Sequence, residues 1–107
     1  MSSDEAITVD AAHEPGSAEA VVRVSGELDA GTAPVLAAEL ERVIGAGATE
    51  LLVDLGDVAF IDSTGLTTLI SARTQVEGRG RLSVVAASAP VRRVFDVTGL
   101  ADLFAAP

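Results

Sequence analysis

Apolar residues fall into two rhythms along the chain, and the switches between them outline its elements. Ile7-Thr8-Val9-Asp10-Ala11 alternates apolar and polar, and Ala20-Val21-Val22-Arg23-Val24-Ser25 is a second short β-favouring run. Both read as strands, and the turn-forming His13-Glu14-Pro15-Gly16-Ser17 between them predicts a hairpin. Val35, Leu36, Leu40, Val43 and Ile44 then follow the spacing of one helix face. Thr32 stands where that helix needs a cap, Pro34 suits its first turn, and Gly45-Ala46-Gly47 ends it. Leu51-Leu52-Val53-Asp54-Leu55 is short and apolar, as a buried strand should be. Leu66, Leu69, Ile70 and Val76 line a second helix, stopped by Gly78-Arg79-Gly80. Leu82-Ser83-Val84-Val85-Ala86 is another buried strand. Pro90 opens a helix carrying Val91, Val94, Phe95 and Val97, which Thr98-Gly99 breaks; a short last turn packed by Leu103 and Phe104 is expected over 100–104.

Strands alternating with helices predict an α/β fold. Its sheet is mixed, with four to five strands: a hairpin first, then parallel strands joined by right-handed crossovers, with about four helices. No repeat or linker interrupts the pattern, so one domain is expected over 1–107, with 1–6 loose. The organising stretch is Phe60-Ile61-Asp62-Ser63-Thr64-Gly65-Leu66, read as the turn between a buried strand and a helix. Ser63 falls where the helix N-cap belongs. A hydroxyl there faces solvent, and the free N–H groups and positive dipole end of the helix can receive a phosphate placed on it. Gly26-Glu27-Leu28-Asp29-Ala30-Gly31 reads as a loop, with Gly26 free to take a backbone state closed to other residues.

Composition narrows the function. Sixteen acids face seven arginines and no lysine, for a net charge of −9. Such a chain is repelled by nucleic acid and by anionic membranes, and a basic protein partner suits it better. The three Phe are the only aromatics, too few for a base-stacking platform. Apolar runs are far short of a membrane span, and the acidic start Met1-Ser2-Ser3-Asp4-Glu5 lacks the apolar region of a signal peptide. Cysteine is absent, which removes thiol chemistry and Cys–metal sites; the cytoplasm is the default compartment.

Catalytic patterns are missing. His13 is the only histidine and sits in a predicted turn, and Ser63 lies in Ile-Asp-Ser-Thr-Gly rather than a G-x-S-x-G elbow. No phosphate loop, GxGxxG or metal-spaced cluster occurs, so neither cofactor nor metal is expected. Asp54 ends a predicted buried strand, where response-regulator receivers carry their phosphorylated aspartate. Receivers also need a lysine, and this chain has none, so Asp54 reads as a strand-end acid bonded to nearby amides. Asp29 and Asp62 lie at the C-terminal ends of predicted parallel strands, the side on which open α/β sheets take ligands and partners. Each is either a turn former bonded to its own backbone or part of an acidic rim around Ser63.

At these residues the chain resembles the STAS domain family, and within it the bacterial anti-sigma factor antagonists. The matching pieces are Val24 to Asp29 with Thr32 and Pro34, Leu52 to Leu55, Phe60 to Leu66, Val91 to Phe95 and Thr98 to Leu100; the resemblance covers about residues 6 to 105. It implies that Ser63 is phosphorylated by an anti-sigma factor that is also an ATP-dependent serine kinase, with Thr64 a minor alternative. It implies that the unphosphorylated chain binds that factor and frees a sigma factor, and that a PP2C-type phosphatase reverses the modification. It implies a docking face made of Gly26, Glu27, Leu28, Asp29, Asp62, Ser63, Thr64, Gly65 and Leu66. Two other readings stand beside this one. The first is a STAS module of a stress-signalling or lipid-transport assembly. The second is a nucleotide hydrolase or phosphotransferase using Asp29, Asp54 and Asp62 around a metal, which the missing lysine and phosphate loop oppose.

Overall fold

The two opening runs pair as their spacing requires. β1 (Ile7–His13) runs antiparallel to β2 (Glu19–Leu28), with Ile7 opposite Gly26 and His13 opposite Ala20. β3 (Glu50–Ile61) lies parallel to β2, and β4 (Arg81–Ala87) parallel to β3, giving a four-stranded sheet in the order β1-β2-β3-β4. These features come from a computed structural model that describes residues 7–100. Among the described residues there are three helices, α1 (Ala33–Gly45), α2 (Ser63–Val76) and α3 (Ala89–Thr98), rather than about four. The expected last turn lies, past Leu100, outside the described residues.

α1 joins β2 to β3 and α2 joins β3 to β4. The strand order advances the same way in both steps, so right-handed crossovers place both helices on one face. Leu36, Leu40 and Val43 of α1 and Leu69 and Val76 of α2 are all buried, as are Val22, Leu51, Val53 and Leu55 of the sheet. Each such side chain contributes about 1.5–3 kcal/mol when fully buried, which far exceeds what helix propensity alone supplies. Two predicted stripe members depart. Val35 is 43% exposed and Val97 is 81% exposed. Val97 follows Phe95 by two positions, about 200° around the helix, so the buried phenyl turns it outward. Val35 sits one position, about 100°, from the buried Leu36, which takes the inward direction.

Two of the three parallel strands, β2 and β3, outrun their apolar cores. β3 continues to Ile61, so Phe60 and Ile61 are strand rather than turn, and Asp54 lies mid-strand rather than at its end. The Asp54 carboxylate accepts the Gly56 N–H at 2.8 Å, where the β2–β3 register slips between Arg23 and Ser25. This bulge lets the strand carry on through polar residues. β2 likewise reaches Leu28, so Gly26 to Leu28 belong to the strand; Gly26 has φ 103° beside a second register slip. α3 is pinned beside β3. The Ser88 hydroxyl donates to the Val58 carbonyl at 2.5 Å, and its oxygen accepts the Val91 N–H at 3.4 Å as the cap. No helix among the described residues is long and apolar enough to cross a membrane.

Candidate functional site

The candidate site forms where β2 and β3 end side by side. The Asp62 N–H donates to the Leu28 carbonyl at 3.1 Å, which clips the turn before α2 to the end of β2. Gly65 permits the approach. A Cβ on Gly65 would lie 2.8 Å from Leu28 Cγ and 3.0 Å from the Leu28 carbonyl oxygen. The side chain of any other residue would push the first turn of α2 away from the sheet.

The cap of α2 is Asp62, one residue before the expected Ser63. Its backbone is extended, and Oδ1 accepts the Thr64 N–H at 2.9 Å and the Gly65 N–H at 3.1 Å. A carboxylate is as good a cap as a hydroxyl and also complements the helix dipole. Ser63 is therefore the first helical residue. It is exposed, and among the described residues its hydroxyl has no hydrogen-bond partner. The amides expected to receive a phosphate are correspondingly occupied: those of Thr64 and Gly65 by the Asp62 carboxylate, and that of Leu66 by the Asp62 carbonyl.

The neighbouring loop is held by Thr32, in a way its sequence position hides. Thr32 occupies the N-cap position of α1 but makes no side-chain cap and is 3% exposed. Its Oγ1 donates to the Glu27 carbonyl at 2.7 Å and accepts the Asp29 N–H at 2.9 Å. Asp29 Oδ1 in turn accepts the Gly31 and Thr32 N–H groups at 3.0 and 3.1 Å. So the two loops do come together, but the carboxylates of Asp29 and Asp62 are committed to amides of their own turns. Each acid is therefore bonded to its own backbone, as the turn-former reading expects. No basic residue occurs between Gly26 and Glu41 or between Gly56 and Ala72, so the two loops of the site contribute no cation of their own.

The sequence matches the STAS domain model over residues 8–107. The chain belongs to the STAS domain family. The anti-sigma-B factor antagonist of Bacillus subtilis (strain 168) is 37% identical to it over 83 residues, 77% of this chain and 75% of that protein. The anti-sigma-F factor antagonist RsfB of Mycobacterium tuberculosis (strain CDC 1551 / Oshkosh) is 33% identical over 104 residues, 97% of this chain and 84% of that one. The crystal structure of an anti-sigma factor antagonist from Mycobacterium paratuberculosis aligns with a TM-score of 0.82 and 32% identity, covering 97% of this chain and 87% of that one. The unphosphorylated form of SpoIIAA has the same fold, with a TM-score of 0.75 at 23% identity, over 90% of this chain and 84% of that one.

Within this STAS domain the nine residues of the expected docking face divide by depth. Glu27, Ser63 and Thr64 are exposed, and Gly26, Asp29 and Asp62 are half-buried. Leu28, Gly65 and Leu66 are buried and support the face from beneath, because apolar packing between β2 and α2 draws them inward. Phe60 heads the organising stretch but stands outside the expected docking face, yet it is 49% exposed and pairs with Glu27 across the two strands. The sheet alternation, once Leu28 and Ile61 are known to be buried, turns Glu27 and Phe60 to the opposite face. His13 ends β1 at the far end of the sheet, bonded through Nε2 to the Ser17 carbonyl at 2.7 Å. It pairs with Ala20, and the eight-residue step from there to Leu28 spans about 26 Å of strand, far beyond reach of Ser63. Asp54 Oδ2 lies 3.8 Å from Arg23 Nε, away from the site. Among the described residues no group of acids and histidine is placed to hold a metal.

Proposed function

We propose that this chain is an anti-sigma factor antagonist, with Ser63 as the phosphate acceptor that switches it off. The observation that carries this reading is the Ser63 hydroxyl: exposed, without a hydrogen-bond partner among the described residues, and flanked by loop segments that hold no basic residue. Its Oγ attacks the γ-phosphorus of ATP held by a partner kinase; the bond to the β-phosphate oxygen breaks, ADP leaves, and the hydroxyl proton passes to a base of the kinase. The product carries about −1.5 to −2 charges at pH 7. The adjoining amides of Thr64 and Gly65 already serve Asp62, and the site's own loops hold no arginine, so the dianion stays hydrated and the fold keeps its cap. The cost arises on docking, when that charge must be desolvated beside the Asp62 carboxylate. A few kcal/mol of lost affinity corresponds to about a 10²- to 10³-fold change, enough to operate a switch.

The relatives named as antagonists of anti-sigma-B and anti-sigma-F factors support the partner class: an anti-sigma factor, here one with serine kinase activity. A PP2C-type phosphatase returns the free hydroxyl, and the exchange takes place in the cytoplasm. Glu27, Asp29, Asp62, Ser63 and Thr64 form the contacting face over the buried Leu28, Gly65 and Leu66. The test uses the host's anti-sigma factor kinase, purified, with ATP and Mg²⁺. Ser63→Ala is expected to bind it whether or not ATP is present, Ser63→Asp to bind poorly, and the wild type to lose binding as phosphate is incorporated. Equal affinity of the Ala and Asp variants would refute the switch.

A further inference from the structure

α2 carries hydroxyl side chains at Ser63, Thr64, Thr67, Thr68, Ser71 and Thr74, which makes it look hydrophilic in sequence. The structure changes that character. Thr67 Oγ1 donates to the Ser63 carbonyl at 2.8 Å, and Thr68 Oγ1 donates to the Thr64 carbonyl at 3.0 Å. With the hydroxyls folded back onto the helix, these threonines present methyl groups. They wall an open groove of about 240 Å³ between α1 and α2, floored by the buried Leu40 and Ala72 and by Ala37. The groove runs from Thr64, beside the acceptor serine, to Gln75; eleven residues of helix make it about 16 Å long. One charge stands on its wall, Glu41. Its neighbour Arg42 is already paired with Glu39 at 2.9 Å and also donates to the Ala11 carbonyl, so among the described residues Glu41 has no ion-pair partner.

We propose that this groove is a docking channel for a segment of the anti-sigma factor kinase, one that lays small apolar side chains along the threonine methyls and sets a lysine or arginine against Glu41. The inference rests on the functional reading above and extends it from the serine to a second contact surface. Two observations select this occupant. The groove holds an unpaired carboxylate on a chain of net charge −9, so a basic segment is complementary where a second copy of the chain is not. Its mouth is Thr64, so whatever fills it abuts Ser63, where added phosphate would expel it.

The test measures binding of the purified host kinase to full-length variants, with thermal melts run alongside. Ser71→Trp fills the groove from an exposed position, and Glu41→Arg reverses its charge. Each is expected to weaken kinase binding by about tenfold or more, the scale of one interface anchor, with the melting temperature unchanged. Phosphorylation of Ser63 should show a raised KM at similar kcat. A kinase variant with the facing basic residue changed to Glu should regain affinity for Glu41→Arg. A photo-cross-linker at position 71 should join to the kinase, not to a second copy. Wild-type affinity in both variants, or cross-links only between copies, overturns the groove while leaving the Ser63 switch standing. A wild-type chain that neither binds the kinase nor is phosphorylated overturns the functional reading and this inference with it.

Discussion

Replacing Thr32 by Val isolates one hydroxyl. The two side chains share a shape, so the change opens no cavity in a position only 3% exposed. What it removes is the donor to the Glu27 carbonyl and the acceptor of the Asp29 N–H, at 2.7 and 2.9 Å. Each group left unsatisfied out of water costs about 1–3 kcal/mol, and the two together cost about 2–6 kcal/mol. Against a typical domain stability of about 5–15 kcal/mol this is large, and it corresponds to a drop of about 10–30 °C in melting temperature. Thr32→Ser keeps both bonds and loses only a methyl group, for about 1 kcal/mol. Urea and thermal unfolding followed by circular dichroism measure the stabilities, and amide exchange at Asp29 reports the bond directly. The Val variant should also bind the anti-sigma factor kinase less tightly, because the backbone that presents Glu27 and Asp29 loses its fixed shape. A Val variant within about 0.5 kcal/mol of wild type, or a Ser variant that falls as far as Val, refutes the role given to this hydroxyl.

Asp62→Ala should destabilise the chain by about 0.5–2 kcal/mol through loss of the α2 cap, while Asp62→Asn, which still caps, should cost little; urea midpoints separate the two. If Asn is as damaging as Ala, the two bonds from Thr64 and Gly65 are not what holds the turn. Gly65→Ala places a methyl 2.8 Å from Leu28 Cγ and should cost about 1–3 kcal/mol by overpacking. Its rate of Ser63 phosphorylation should fall as α2 is pushed off β2; a variant phosphorylated at the wild-type rate would show that the close approach does not set the serine's position.

Much of the fold follows from local rules. The alternation at Ile7 to Ala11 and the turn residues at Glu14 to Ser17 announce the hairpin. The helical spacing of Leu36, Leu40 and Val43, and of Leu66, Leu69 and Val76, marks the buried faces that the structure confirms. These readings hold because periodicity and turn chemistry act over a few residues. The same rules could not rank two adjacent good caps, Asp62 and Ser63, because the choice depends on where β3 stops. β3 runs to Ile61 through a bulge that its apolar core did not signal. Nor could spacing assign Thr32 its bonds to Glu27 and Asp29, since a threonine before a helix reads as a cap wherever it occurs.

The order and type of the elements, the acidic surface and the serine within Asp-Ser-Thr-Gly are properties of the chain itself, written in residue identities and their spacing. The tertiary fold decided the rest. It brought the Asp62 amide to the Leu28 carbonyl across thirty-odd residues, turned Asp29 and Asp62 to their own backbones, and left Ser63 free. It also set α1 against α2 so that a run of hydroxyl residues became a methyl-walled groove. The physical reason is that local propensity acts through neighbours in sequence, whereas which polar groups find partners depends on distances that exist only once the sheet and helices have packed.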